Sequence, residues 1–152
     1  IVNVASIAHL RTDMDFENLN GEKNWSWYGG GWNAYCRSKL ANIMFTYHLS
    51  TKLKDKNITA NSLHPGFVAS KFGNNNGIFS RSIIKTAKFF GAINVKKGSE
   101  TSTHLASSEE VEGISGKYFA ACSVQKSSKQ SRVEKDIEKL WDISKDFTSE
   151  YL

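Results

Sequence analysis

Tyr35 and Lys39 are the two residues whose types and spacing most directly indicate chemistry. They lie four positions apart in the segment NAYCRSKLANIMF, residues 33–45, whose apolar pattern is typical of an amphipathic helix. Side chains four positions apart share one face of a helix, so both can reach a single site. A phenol is a weak acid, and a fixed ammonium group beside it favours the phenolate. Such a pair can donate or accept a proton near neutral pH, as general acid–base catalysis requires.

The context of this pair favours chemistry over chance. The alternative is a half-buried tyrosine packed under a surface lysine, and the spacing alone does not exclude it. Ser6 follows the first predicted strand and Pro65-Gly66 follows the second. Each feature alone is typical of a turn or a cap. Ligands of parallel sheets bind at the carboxyl ends of the strands, however, and these features and Tyr35 are all expected at that edge.

The elements that position these residues are predicted in the order β-loop-α-β-α-α-β-α. This order is typical of an α/β fold with a parallel sheet and right-handed crossovers. A capping box, Ser131-x-x-Glu134, predicts the start of the last helix. The predicted strands are 1–5, 58–63 and part of 113–120; the loop is 11–31; the helices are 33 or 34 to 54, a short one within 83–90, 98–107, and one after residue 131.

Length and composition exclude several classes of protein. The 152 residues predict one domain, and 39% hydrophobic with 23% charged residues is ordinary for a globular protein. No apolar run approaches the ~20 residues that span a bilayer. The net charge of +5 is concentrated in segments without interleaved aromatic residues, so we expect a solvated surface and no nucleic-acid partner. The two cysteines form no CxxC pair and the four histidines no HxxH pair, so we expect no metal site and a reducing intracellular compartment.

Three segments together resemble the second half of the short-chain dehydrogenase/reductase family: IVNVAS at 1–6, YCRSKLAN at 35–42 and NSLHPGFVASKF at 61–72. The nearest subgroup is the retinol-dehydrogenase-like members, including WW-domain oxidoreductases, and the similarity extends to GISGKYF and LWDIS. The resemblance implies the C-terminal part of a doubly wound, parallel-sheet, NAD(P)-binding Rossmann fold. It makes residues 1–152 a single domain, the catalytic portion without the Gly-rich N-terminal half that holds the adenine-side phosphates.

The resemblance also implies a role for each matching residue. Ser6 would stabilise charge on the substrate oxygen, Tyr35 would transfer the proton, and Lys39 would make that phenol more acidic and hold the nicotinamide ribose. Residues 71–90 would form a variable lid. The implied cofactor is NADP(H) rather than NAD(H), and the implied substrate is a hydrophobic alcohol, aldehyde or ketone. The implied cofactor-binding residues are Tyr35, Lys39, Pro65, Gly66, Val68 and Ser70.

The sequence departs from the family pattern at its phosphate-binding end. Gly29-Gly30-Gly31 does not follow a predicted strand, so it is not the Gly-rich turn of a dinucleotide site. We therefore expect the 152-residue chain alone to bind a dinucleotide poorly. The alternative function is a non-enzymatic interaction module that uses an exposed sheet edge. The resemblance leaves open the oligomeric state, the compartment and membrane association of the full-length protein.

Overall fold

A computed structural model describes residues 1–23, 30–68 and 93–151 of the chain. Strands and helices alternate along it, which confirms the predicted α/β class. One 3-10 helix, Ile7–Arg11, lies between the first strand and the predicted loop 11–31, and a second, Phe16–Asn18, lies within that loop. The strands are β1 Val2–Val4, β2 Asn61–His64, β3 Tyr118–Ala120 and β4 Ser123–Gln125, and the helices are α1 Gly30–Lys52, α2 Val95–Ser107 and α3 Glu134–Thr148.

The four strands form one sheet in the order β1-β2-β3-β4. β1 and β2 are parallel, as are β2 and β3, so their carboxyl ends lie at the same edge. β4 runs antiparallel to β3 and was not predicted. Ala121 and Cys122 connect the two strands with positive φ angles of 49° and 60°. Glycine or asparagine usually occupies such hairpin positions, so the turn carried no recognisable sequence signal.

The helix α1 packs between the sheet and α3. Leu40, Ile43 and Met44 are fully buried at helical spacing, which is why this segment was predicted as a helix. Ile43 packs on the sheet side with Tyr118, whereas Leu40 and Met44 pack with Leu140 of α3. The helix begins at Gly30 and ends at Lys52, so it starts three or four residues earlier and ends two residues earlier than predicted.

The central strand β2 is polar in sequence and buried in the structure. Asn61 is buried, and its side chain donates to the Ile114 carbonyl at 2.7 Å and accepts from the Lys117 amide at 3.0 Å. A buried amide side chain is tolerated because both of its ends are paired. Strand β2 therefore begins at Asn61, three residues later than the start at residue 58 that the apolar pattern predicted.

The predicted capping box is wrong. Helix α3 begins at Glu134, its N-cap is Val133, and no side chain hydrogen-bonds to that end. The Ser131 hydroxyl is instead buried, 2.7 Å from the Ser127 hydroxyl and 2.8 Å from the Ser128 carbonyl. Among the described helices, none is long and apolar enough to cross a membrane. The helix predicted within 83–90 lies outside the described residues.

Candidate active site

The carboxyl ends of β1 and β2 border a cavity of about 940 Å³. Ser6 follows β1, Pro65 and Gly66 follow β2, and the first turns of α1 carry Tyr35 and Lys39 to the same place. This convergence is the one expected from the strand-end rule for parallel sheets. Ser70 lies outside the described residues. Every other residue predicted for the site lines the cavity: Ser6, Tyr35, Lys39, Pro65, Gly66 and Val68.

The Lys39 ammonium lies between the Tyr35 ring and the end of β1. Its Nζ is 5.6 Å from the centre of the Tyr35 ring and 3.4 Å from the Val4 carbonyl oxygen. This distance is within the range of a cation–π interaction. Trp32 stacks on the Tyr35 ring, with the two ring centres 5.5 Å apart. The phenol is therefore held in a defined orientation at the cavity wall.

Two further contacts hold α1 against β1. The Asn42 amide donates to the Val4 carbonyl at 3.2 Å, so this oxygen receives donors from two turns of the helix. One turn later, the Asn3 amide donates to the Thr46 hydroxyl at 2.9 Å. These bonds set the distance between β1, which Ser6 follows, and the helix that carries Tyr35.

Ser6 serves as a cap and also lines the cavity. It is the N-cap of the 3-10 helix Ile7–Arg11, and its Oγ accepts from the Ala8 amide at 3.2 Å. A hydroxyl has one donor as well as two acceptor positions. Accepting one bond from Ala8 therefore leaves the Ser6 O–H able to donate to a bound oxygen.

His64 is a cavity residue that the sequence analysis missed. It ends β2 and lines the cavity, and its Nδ1 is buried without a hydrogen-bond partner among the described residues. Burial is the main cause that lowers the pKa of this imidazole below its ordinary value, and the neighbouring imidazole of His9 is a smaller one. A buried polar atom without a partner is uncommon in proteins, so this nitrogen marks His64 as unusual among the cavity residues. Its position just before Pro65-Gly66 was the signal available in the sequence.

The cavity wall is apolar, and its charged lining residues are basic. Across the described part of the chain, Arg11 and Lys39 line it and no carboxylate does. Such a surface suits a hydrophobic molecule with a polar or anionic end. The large apolar side chains of the wall, each about half exposed, are Val4, Ile7, Leu10, Trp32 and Phe67.

Gly66 sets the path of the chain after β2. Its φ is +88°, and a Cβ there would lie 2.6 Å from Ile93 Cδ1. The following segment is fixed because the Ile93 amide donates to the Phe67 carbonyl at 2.8 Å. Glycine therefore meets both a conformational and a steric requirement at this edge of the cavity.

Comparison with known proteins agrees with this geometry. No protein-family model matches the chain. Retinol dehydrogenase 11 of Homo sapiens is 42% identical over 146 residues, which cover 96% of this chain and 44% of that protein. Over this length the chain is similar to the C-terminal half of retinol dehydrogenases, which are short-chain dehydrogenases/reductases. Retinol dehydrogenase 12 of Mus musculus is 37% identical over 144 residues, covering 95% of this chain and 44% of that relative.

The homology to retinol dehydrogenases concerns part of their length. The chain spans about 44% of these relatives and matches their C-terminal half, which confirms the predicted resemblance. An uncharacterized protein from Mycobacterium paratuberculosis has a similar crystal structure, with a TM-score of 0.68 and 22% identity. That match covers 97% of this chain and 49% of the other chain, and it supports the fold alone.

Proposed function

We propose that this chain forms the catalytic side of an oxidoreductase that moves hydride between NAD(P)(H) and a hydrophobic alcohol or carbonyl compound. The observation that carries the proposal is that Ser6, Tyr35 and Lys39 line one apolar cavity at the strand ends. The relatives are named retinol dehydrogenases, so a long apolar primary alcohol or its aldehyde is the substrate class we favour.

The cavity fits the nicotinamide end of a dinucleotide. Its volume of about 940 Å³ lies within the range of small-molecule and cofactor sites. Lys39 offers a cation at the cavity wall. When bound, the cofactor supplies or accepts the hydride. We place its ring side against Lys39, Pro65, Gly66 and Val68, favour NADP(H) over NAD(H), and place its adenine-side phosphates on residues beyond this chain.

The side chains of the chain divide the remaining chemistry among them. In carbonyl reduction, the Tyr35 hydroxyl donates its proton to the substrate oxygen, and in alcohol oxidation it takes that proton back. The Ser6 O–H donates a hydrogen bond to the same oxygen and stabilises negative charge as it develops there. The Lys39 ammonium stabilises the phenolate that remains when the proton has left.

Tyr35→Phe tests this proposal in the full-length protein. The variant keeps the ring that stacks on Trp32 and removes only the hydroxyl. We expect kcat for NADPH-dependent reduction of retinaldehyde, followed at 340 nm, to fall by about 10²-fold or more, since a positioned acid contributes about 10²–10⁴-fold. NADPH affinity, measured by fluorescence titration, should change little.

Tyr151→Phe is the matched control. Tyr151 is 85% exposed and lies outside the cavity, so its variant should keep wild-type turnover. Near-wild-type turnover of Tyr35→Phe would remove this phenol from the mechanism.

A non-enzymatic interaction module is the second candidate, and one observation favours it. β1 lies at the edge of the described sheet, where β2 is its one neighbouring strand. An unpaired strand edge can accept a strand from another chain. Under this candidate the full-length protein would fail to turn over any hydrophobic aldehyde with either nicotinamide cofactor.

A further inference from the structure

His9 is a buried histidine that the proposed chemistry does not use. It lies in the 3-10 helix that follows Ser6 and is fully buried. Its Nδ1 is 2.7 Å from the Ser6 carbonyl oxygen, and its Nε2 is 3.2 Å from the Ser128 amide nitrogen. A carbonyl only accepts and an amide N–H only donates. The ring is therefore a neutral tautomer that is protonated at Nδ1 and accepts at Nε2.

The Ser6 end of this contact is held from several directions. The Ser6 carbonyl also accepts the backbone N–H of His9 at 3.2 Å, so two donors fix the orientation of this peptide group. On the other side of Ser6, the Ala5 amide donates to the Leu63 carbonyl at 2.7 Å. The His9 ring packs edge-on against Tyr118 of β3 at 4.9 Å, which limits its rotation. Ser6 thus has little freedom to turn.

The Ser128 end belongs to a buried network anchored on α1. Ser127 and Ser131 are buried, with their hydroxyls 2.7 Å apart. The Tyr47 hydroxyl lies 2.7 Å from that of Ser127. Tyr47 is in the same helix as Tyr35, about 18 Å further along at 1.5 Å per residue. The two bonds of His9, from the Ser6 carbonyl to the Ser128 amide, therefore link the strand end to the catalytic helix, and we call them the His9 bridge.

We propose that His9 is a positioning residue for Ser6: its Nδ1–H bond to the Ser6 carbonyl aims the Ser6 hydroxyl at the oxygen that Tyr35 serves, and its bond from the Ser128 amide fixes the tautomer that supplies this donor. This inference rests on the proposed function, because it assigns His9 a part in the same reaction. A small displacement of a catalytic donor costs much of its effect, since the donor must meet the oxygen at hydrogen-bond distance. An ordinary core histidine would affect stability only.

Two substitutions separate the two ends of the bridge. In His9→Asn, the amide nitrogen can occupy the place of Nδ1 and still donate to the Ser6 carbonyl, while the contact with Ser128 is lost. In His9→Gln, the amide oxygen can occupy the place of Nε2 and still accept from Ser128, while the donor to Ser6 is lost. Asparagine also leaves the larger void in the core, so packing alone predicts that His9→Asn is the more damaging change.

The positioning role predicts the opposite order in activity, with His9→Gln losing more activity than His9→Asn. With NADPH and retinaldehyde, we expect kcat of His9→Gln to fall about tenfold or more and that of His9→Asn to stay within about threefold of the wild type. The KM for NADPH should be the same in both variants as in the wild type. Equal losses, or a larger kcat loss for His9→Asn, would overturn the role of His9. A wild-type protein without turnover would instead overturn the proposed function.

A second measurement needs no variant. In protein with ¹⁵N-labelled histidine, the His9 resonance should show a protonated Nδ1 and an unprotonated Nε2. A protonated Nε2 would show that the Ser128 amide does not donate to the ring, and the His9 bridge would be refuted even if a variant failed to fold.

Discussion

Ser6 uses its backbone and its side chain for different purposes. Its carbonyl accepts from His9, its Oγ accepts from the Ala8 amide, and its O–H proton is left to act on a ligand. A residue with these contacts is both a cap and a site residue. Its capping role and its donor role can be separated by comparing a Ser6 variant with a variant of another serine that serves as a cap and does not line the cavity.

Ser6→Ala should reduce both activity and stability. Loss of one donor to a developing oxyanion costs about 10²–10³-fold in kcat, and loss of a capping oxygen costs about 1 kcal/mol. Ser108→Ala is the matched control, because Ser108 caps the 3-10 helix Glu109–Val111 with its Oγ 3.3 Å from the Glu110 amide. Thermal denaturation should show similar losses for both variants, and the retinaldehyde assay should show a loss for Ser6→Ala alone. Equal turnover of the two variants would contradict the donor role of Ser6.

The predicted site residues that line the cavity are those that obey a local rule. Tyr35 and Lys39 are related by helical spacing, and Ser6 and Gly66 by their place at the ends of parallel strands. His9 could not be found in this way. Its second partner is Ser128, 119 residues away, and no local pattern indicates such a contact.

At the scale of elements, helix α2 packs against the cavity wall through a close contact between Gly98 and Val68. A Cβ on the buried Gly98 would lie 2.5 Å from Cγ2 and 3.1 Å from Cγ1 of Val68. Val68 lines the cavity and forms a parallel bridge with Ile93, so it is held in place. A β-branched side chain has few rotamers with which to move aside. The contact between α2 and the segment after β2 therefore depends on glycine.

Gly98→Ala should destabilise the protein and alter the cavity. We expect a loss of about 1–3 kcal/mol in the free energy of unfolding, typical of overpacking, and a raised KM for retinaldehyde or NADPH. In a Val68→Ala background the same substitution should be neutral or stabilising, because the clash is gone and alanine favours helix over glycine. Ser99→Ala is the control, because Ser99 is the next residue of the helix and is exposed. Urea unfolding of the wild type, the two single variants Gly98→Ala and Val68→Ala, and the double variant measures the coupling between the two sites. Additive effects of the two substitutions would contradict the contact.

The elements themselves were predicted where burial follows a simple period. Helix α1 shows its apolar face in Leu40, Ile43 and Met44. Strand β2 was misplaced because Asn61 occupies a central buried position by satisfying its amide with tertiary partners. The capping box failed for a related reason, since the Ser131 hydroxyl bonds within a buried cluster instead of capping α3.

At the scale of the whole molecule, buried titratable groups limit the pH range of stability. Burial lowers the pKa of His9, His48 and His64 below 6.5, so the folded state binds fewer protons than the unfolded state in mild acid. Their contribution is complete above about pH 6.5 and is lost as the pH falls toward the lowered values. Burial also raises the pKa of Tyr118 to about 12, so stability should fall again as the pH rises above about 10.

Thermal denaturation should therefore show a lower Tm at pH 5.5 than at pH 7.5. His48→Phe offers a matched variant, since a phenyl ring can keep the stacking of His48 on Trp141 at 4.3 Å and removes one titrating group. Its Tm should fall less between the two pH values than that of the wild type. A wild-type Tm at pH 5.5 equal to or above that at pH 7.5 would contradict the assignment.

The hairpin between β3 and β4 offers a means of raising stability at a distance from the chemistry. Ala121 and Cys122 both adopt left-handed backbone conformations that carry a steric penalty for residues with a Cβ. Ala121→Gly should relieve part of it and increase the free energy of unfolding by about 0.5–1 kcal/mol, measurable by urea denaturation; an unchanged or lower value would be contrary evidence. Neither residue lines the cavity, so the substitution would create a more stable background in which damaging variants of the cavity residues can still be purified and assayed.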